Sequence, residues 1–277
     1  MSTLSTPASG FRPVVNMCGR IGSESAGWDG ELEPVTAGLC GVTVGGSMVI
    51  CGKDFGMKLM FALWADGLGE WLHSAELRRE LAAAGATELQ VNICDADVDA
   101  AQVRHTTYDE PIAAIVSVWT EAAHESITAA LSSVAKEVDG WIVDERTPIV
   151  PPPVESGVRT DALANFALLR IPVDLTREEW LHRWHDLHTT VAIETQDTFG
   201  YVQNTVREPI TAGRRVDALV EELFPMAAMT SVHAFYGAAD DADLQQRVTR
   251  MMESVVSFGA HLNLDLVPTS RYVYPLT

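Results

Sequence analysis

The chain is short of positive charge. Lysine and arginine together number 19, against 38 aspartates and glutamates, which gives a formal net charge of −19 at pH 7 over 277 residues. A surface this acidic repels both the phosphates of nucleic acids and anionic lipid headgroups. We therefore expect no nucleic-acid partner and no membrane partner, and we expect a small molecule instead.

Cysteines and long apolar runs are also scarce. Of the four cysteines, Cys18, Cys40 and Cys51 lie near the N-terminus and Cys94 stands alone, without a CxxC motif or a nearby histidine pair. Neither a disulfide framework nor a zinc site is indicated. No apolar run approaches the roughly 20 residues that a membrane-spanning helix needs, and the N-terminus lacks a secretory signal pattern. These absences predict a cytoplasmic protein.

Several cofactor and nucleophile motifs are missing. The sequence has no glycine-rich phosphate loop that opens a helix, no GxSxG and no cysteine close to a histidine. Nucleotide cofactors and covalent catalysis by serine or cysteine are therefore not expected. The apolar content of 47% is ample for a packed core,. We expect a globular protein that works without a cofactor or a metal.

Residues 1–56 differ in composition from the rest of the chain. Their segment "GLCGVTVGGSMVICGKDFG" is glycine-rich and lacks a sustained apolar period. The codons for "GKD" can contain a sequence that resembles a bacterial ribosome-binding site just upstream of Met57. One hypothesis is that Met57 is the natural start, and the alternative is a genuine, loosely packed N-terminal extension.

From Met57 onward, hydrophobic periodicity predicts the element order βαββαβ twice, separated by the proline-rich "PIVPPP",. This divides the chain into a first repeat (57–147), a linker (148–163) and a second repeat (164–277). In the first repeat, "GEWLHSAELRRELAAAG" is predicted as one helix. In the second, "RRVDALVEELFP" is predicted as an amphipathic insertion and "MTSVHAFYG" as a strand. The fold class predicted is α+β, with two ferredoxin-like halves.

The segment "LLRIPVDLTREEWLHRWHDLHTTVAIETQDTFGYVQNTV", Leu168 to Val206, resembles the EthD domain family in its strand, its helix with a W…H pair and its aromatic strand. The resemblance implies a dimeric α/β-barrel architecture, and a homodimer is expected from it. Relatives in that superfamily include cofactor-free monooxygenases, polyketide cyclases and dehydratases, and haem-handling enzymes. The first half has no W…H pair, so it is expected to be a degenerate partner that completes the barrel.

The helix from Arg177 carries three histidines. Thr176 and Glu179 predict a capping box at its start. On an ideal helical wheel, His188 lies mid-way in the apolar arc facing the sheet, His185 lies at its edge and His182 points toward solvent. The three histidines diverge, which argues against a metal site.

Strand alternation supplies partners for His188. It places Val202, Asn204 and Val206 on the helix-facing side, so that Asn204 and His188 form a polar pair in an apolar pocket. The alternative is one buried Asn–His hydrogen bond that only holds the helix to the sheet. The opposite, barrel-interior face is predicted to carry the polar side chains of Arg170, Tyr201, Gln203, His233 and Asp265. These form either a buried structural network that joins the two halves or a second polar cluster with a functional role.

These residues predict a cofactor-independent enzyme that moves a proton next to a carbonyl group, as a dehydratase, cyclase or isomerase does. The predicted roles are His188 as general base and Asn204 or Tyr201 as stabiliser of an oxyanion. The residues predicted to line the pocket for an apolar, cyclic or aromatic substrate are Trp180, Trp184, His185, Gln203 and Val191. The alternatives are a non-catalytic ligand-binding or accessory protein, and a haem-binding protein.

Overall fold

The computed structural model describes residues 56–276. The hypothesis about the natural start at Met57 and the cysteines at positions 18, 40 and 51 therefore fall on residues outside the described part. Within residues 56–276, no helix is long and apolar enough to cross a membrane.

Eight antiparallel strands close into a barrel in the order β1-β3-β2-β8-β5-β7-β6-β4. The strands are β1 (Met57–Trp64), β2 (Ala86–Ile93), β3 (Ala114–Thr120), β4 (Glu137–Ile149), β5 (Leu163–Leu169), β6 (Gly200–Pro209), β7 (Ala218–Phe224) and β8 (Asp265–Pro275). The pairs β2–β8 and β4–β6 join the first four strands to the last four. One chain thus completes the barrel, and no strand of it is left with an unpaired edge.

The two sets of four strands have the same arrangement. In the first half β1 lies between β3 and β4 with β2 beyond β3, and in the second half β5 lies between β7 and β8 with β6 beyond β7. Helices join the strands in both halves. The expected α+β class is confirmed, whereas duplication of one ancestral unit, the domain boundaries and the homodimer stay predictions.

The helices are short except for the last. They are α1 (Leu68–Leu72), α2 (Ala75–Ala83), α3 (Glu125–Ser132), α4 (Arg177–Leu181), α5 (Thr189–Thr195), α6 (Val232–Tyr236) and α7 (Asp241–Ser257). The single helix predicted in the first half is in fact two, α1 and α2. Ser74 separates them because its hydroxyl accepts a hydrogen bond from the Leu77 N–H (3.1 Å) and so starts a new helix,.

Two predictions in the second half are wrong. The segment predicted as an insertion is strand β7. The segment predicted as a strand begins at the last residue of a short 3₁₀ turn, Met226–Met229, and contains α6. Strand β7 lies in the middle of the second-half sheet with both faces covered, so its apolar residues do not alternate with exposed polar ones,. Ser231 caps α6, which a strand assignment cannot accommodate,.

Side chains pack in three main layers. The inner layer fills the barrel and takes residues from both halves, including Met60, Trp141, Phe166, Val206 and Leu219. The first outer layer lies between the first-half sheet and its helices, and includes Leu59, Phe61, Leu89, Val91, Val116 and Val118. The second outer layer lies between the second-half sheet and its helices, and includes Leu169, Trp180, Trp184, Tyr201, Val220 and Phe258.

Candidate functional site

The histidine-bearing helix is not a regular α-helix. The predicted capping box is confirmed, since the Thr176 hydroxyl accepts from the Glu179 N–H and the Glu179 carboxylate accepts from the Thr176 N–H. Between α4 and α5, however, residues His182–His188 form a π-helical segment. A π-helical segment adds residues to each turn, so side chains beyond it are rotated away from their positions on an ideal α-helical wheel.

His188 consequently faces α7 and not the sheet. Its Nδ1 lies 2.9 Å from the Ser254 hydroxyl, and its ring packs on Phe258 with centroids 4.7 Å apart. Burial lowers the pKa of His188 to about 4, so the imidazole is neutral at pH 7,. The predicted position of His188 over the sheet is wrong because of the π-helical segment.

The other two histidines differ in exposure. His185 is half-buried against Trp184, and its Nε2 lies 3.4 Å from the Thr205 hydroxyl on β6. Burial, reinforced by the nearby Arg146 cation, lowers the pKa of His185 to about 4. His182 is exposed, as predicted, and lies 2.9 Å from the Asp186 carboxylate. The three side chains do diverge.

Asn204 lies on the opposite side of the sheet from the predicted one. Its Oδ1 accepts a hydrogen bond from Lys58 Nζ (2.8 Å) and its Nδ2 donates to the Leu219 carbonyl (3.1 Å). Lys58 also pairs with Glu145. Asn204 therefore faces the barrel interior, and the predicted Asn204–His188 pair is wrong because the sheet separates the two side chains.

Tyr201 and Gln203 face the helices, again the reverse of the prediction. Gln203 Nε2 donates to the Thr189 hydroxyl (2.9 Å) and to the Tyr201 hydroxyl (3.0 Å). Burial raises the pKa of the Tyr201 phenol, so it keeps its proton. Side-chain hydrogen bonds with Gln203, Trp184 and Thr189 partly oppose this rise. The structure thus brings Tyr201 and Gln203 together under the histidine-bearing helix.

The predicted aromatic residues form the floor of this layer. Trp180 and Trp184 are fully buried, with ring centroids 4.9 Å apart, and Trp180 Nε1 has no hydrogen-bond partner in the described residues. Val191 is partly exposed, and its carbonyl accepts a hydrogen bond from Thr195 (2.7 Å). The two tryptophans belong to the second outer layer as expected.

Glu222 is the functional candidate that the sequence did not reveal. It lies on β7 directly between Tyr201 on β6 and Asn165 on β5, all on the helix-facing side of the sheet. Its Oε1 is buried without a hydrogen-bond partner in the described part of the chain, as are Asn165 Oδ1 and Gln203 Oε1. We call Asn165, Glu222, Tyr201 and Gln203 the polar row.

Burial raises the pKa of the Glu222 carboxyl to about 7,. Such a group is found in both protonation states near neutral pH, which suits a group that takes and returns a proton. Glu222 was missed because β7 was assigned as an insertion. The alternation of Ala218, Val220, Glu222 and Phe224 would have placed this glutamate on the helix-facing side.

The polar cluster predicted inside the barrel is reduced to one pair. Arg170 and Asp265 form an ion pair of 2.6 Å, and Asp265 is fully buried. His233 lies on α6 and contacts Asp241 (2.9 Å). Within the described residues, no group of three histidines, cysteines or acidic residues is arranged to hold a metal ion.

No protein-family model and no curated protein matches the chain. Some solved structures are similar to it. A candidate monooxygenase from Lactobacillus acidophilus NCFM is 10% identical, with 80% of this chain and 97% of that chain covered and a TM-score of 0.43. An anthrone oxidase-like protein is 9% identical, with 80% and 92% covered and a TM-score of 0.41. A mutant chlorite dismutase from Candidatus Nitrospira defluvii is 12% identical, with 81% and 93% covered and a TM-score of 0.45. Likenesses at this level assign neither a family nor an activity to this chain.

Proposed function

We propose that the chain is an enzyme that transfers a proton next to a carbonyl group of an apolar small molecule, at the polar row of the second outer layer. The observation that carries this proposal is the Glu222 carboxyl, whose buried Oε1 has no partner in the described residues and whose pKa is raised to about 7. A buried carboxyl oxygen without a partner destabilises a fold, and a group with such a raised pKa in an apolar layer is a candidate for a functional role.

In this mechanism the Glu222 carboxylate takes a proton from the carbon next to the carbonyl, and the C–H electron pair moves to form an enolate. The Tyr201 phenol donates a hydrogen bond to the enolate oxygen. Protonated Glu222 then returns the proton to carbon in an isomerisation, or to a leaving hydroxyl in a dehydration. Each step conserves the single proton, so neither an oxidant nor a cofactor is needed.

Glu222 replaces His188 as the proposed base. His188, with a pKa of about 4, has little affinity for a proton at pH 7. Glu222 has a pKa of about 7, which is close to the pH of the medium and so suits a group that takes and returns a proton,. Asn204 keeps no proposed role in the chemistry, because both ends of its amide are engaged inside the barrel. Trp180 and Trp184 are proposed to present apolar surface to a cyclic or aromatic substrate, and the resemblance of Leu168–Val206 to EthD domains supports a substrate of that kind.

The experiment is hydrogen–deuterium exchange into cyclic and aryl ketones in D₂O, followed by NMR, because exchange next to the carbonyl reports proton removal whatever the final product. We expect exchange above the buffer rate that rises with pH around 7. Glu222→Gln should lower that enzymatic rate by about 10²- to 10⁴-fold.

The matched control is Glu221→Gln, the next residue on the same strand. Glu221 faces the barrel interior, where it accepts hydrogen bonds from Gln90 and Asn92. Its replacement should change stability but not exchange per folded molecule. Equal rates for wild type and Glu222→Gln, with His188→Gln inactive, would return the role of base to His188. No exchange with any ketone would favour the non-catalytic ligand-binding or accessory protein.

A haem does not fit the residues around His188. Its Nδ1 is engaged with Ser254 and its ring packs on Phe258, so the imidazole is not free to ligate an iron. We therefore assign no haem-dependent step. A haem titration should give no saturable Soret shift.

A further inference from the structure

A cleft of about 420 Å³ lies outside the polar row, where the chain that follows the proline-rich segment crosses β8. Its lining residues are His73, Arg78, Ser156, Gly157, Tyr272 and Tyr274. None of them has a part in the proposed proton transfer. The volume lies in the range of small-molecule sites in proteins.

One wall of the cleft holds an arginine in a fixed position. Arg78 Nη1 donates to the His73 carbonyl (2.6 Å), and the guanidinium stacks over the Tyr274 ring at 4.8 Å. The Tyr274 hydroxyl in turn lies 2.7 Å from His73 Nδ1. These contacts orient the guanidinium and engage few of its five N–H donors, which leaves the others available to a ligand.

Another part of the lining depends on a glycine. Gly157 has a φ of 73°, and its N–H donates to the Val273 carbonyl (2.9 Å). A Cβ at this position would lie 2.9 Å from the Tyr274 ring, so a larger residue would push the loop away. Tyr272, which meets the edge of the His73 ring at 4.4 Å, completes an aromatic surface beside the arginine.

Among residues 56–276, Arg78 is the only charged side chain that lines the cleft, because burial lowers the pKa of His73 and leaves it neutral at pH 7. No carboxylate in residues 56–276 forms an ion pair with Arg78. The nearby acids have other partners: Asp95 accepts from Ser270 (2.8 Å), and Asp97 pairs with Arg159 (3.3 Å). An oriented, unpaired guanidinium is unexpected in a chain with a net charge of −19.

We propose that this cleft binds a planar monocarboxylate, such as an aromatic acid. The fork of a guanidinium matches the two oxygens of a carboxylate. The rings of Tyr272 and His73, which lie at 65° to each other, offer aromatic surface to the rest of the ligand,. The positive charge of Arg78 balances the single negative charge of the carboxylate. A dianion such as phosphate would leave a negative charge uncompensated against an already acidic protein.

The test is calorimetric titration of the full chain with benzoate, benzamide and inorganic phosphate at low ionic strength. We expect saturable binding of one benzoate, and at least tenfold weaker binding of both benzamide and phosphate. Equal binding of benzamide would show that the carboxylate is not recognised and would overturn the proposal. So would equal binding of phosphate, or the absence of saturation with benzoate at up to about 10 mM.

Variants then locate the site. Arg78→Gln should weaken benzoate binding at least tenfold, whereas Arg79→Gln, a change of the exposed neighbour on α2, should leave it unchanged. Both variants should melt close to the wild type, which separates loss of binding from loss of folding. Retained affinity in Arg78→Gln would contradict the assignment, and so would equal losses in the two variants.

Discussion

The two outer layers have equivalent positions in the strand order but differ in what they bury. On β2 and β3 the helix-facing positions carry leucine and valine, as in Leu89, Val91 and Val118. On β6 and β7, which hold the same places in the second half, they carry Tyr201, Gln203 and Glu222. The same arrangement of strands thus supports an apolar core in one half and a layer with partnerless polar atoms in the other.

This difference has an energetic consequence. Apolar burial stabilises the first half at roughly 25 cal/mol for each Å² removed from water. In the second half, each buried polar atom without a partner costs about 1–3 kcal/mol. This cost offsets part of the stabilisation that apolar burial provides in the second outer layer. The first outer layer is therefore expected to contribute more to stability. In the second outer layer, a ligand can supply hydrogen bonds to the polar atoms that have no partner in the described residues.

The largest effect on stability is expected from a cavity in the first outer layer. Phe61 is fully buried on β1 in the first outer layer, so Phe61→Ala leaves a cavity and should lower the free energy of unfolding by about 3–5 kcal/mol,. Urea denaturation followed by tryptophan fluorescence measures this change. Proton exchange per folded molecule should stay at the wild-type rate. A loss below about 1 kcal/mol would mean that the first layer does not dominate stability.

The second prediction concerns how much the polar row lowers the free energy of unfolding. The folded pKa of Glu222, about 7, lies above its ordinary value of 4.5, so the folded state holds the proton more tightly. Ionisation of Glu222 therefore lowers the free energy of unfolding. This loss is absent below pH 4.5, grows as the pH rises toward 7 and reaches at most about 3 kcal/mol above pH 7. Glu222→Gln should thus raise the free energy of unfolding by about 1–3 kcal/mol at pH 8 and change it little at pH 4.5.

Urea denaturation of both proteins at the two pH values provides the measurement. A variant less stable than the wild type at pH 8 would show that the charged carboxylate has a favourable partner, and Glu222 would lose its special status in the layer.

Much of the fold could be predicted from periodicity. The order βαββαβ predicted for each half is present in both when neighbouring helices are counted as one helical stretch, and the capping box at Thr176 is present. The errors lie where both faces of an element are covered, as in β7, or where a polar cap interrupts an apolar pattern, as at Ser74 and Ser231. Local sequence does not distinguish these cases, because burial on both faces depends on tertiary partners.

The site could be predicted only in part. Tyr201, Gln203 and the two tryptophans do meet in one layer, but the face assigned to β6 was inverted. Strand alternation predicts Asn204 on the helix-facing side, whereas it belongs to the inner layer with Lys58. A strand with covered polar residues on both faces gives no sign of which face meets the helices. The π-helical segment that turns His188 toward α7 likewise has no signature in the helical wheel.

His188 provides the last test, with an effect of similar size to that of Glu222 and the opposite dependence on pH. Its folded pKa of about 4 lies below its ordinary value of 6.5, so the folded state binds the proton less well. The contribution of His188 to the free energy of unfolding is complete above pH 6.5. It falls by about 2–3 kcal/mol as the pH drops toward 4. The difference in unfolding free energy between His188→Gln and wild type should therefore shift in favour of the variant from pH 7 to pH 4. A difference that is constant over this range would show that His188 is solvated in the folded protein, and that the second outer layer is open to water on the side of α7.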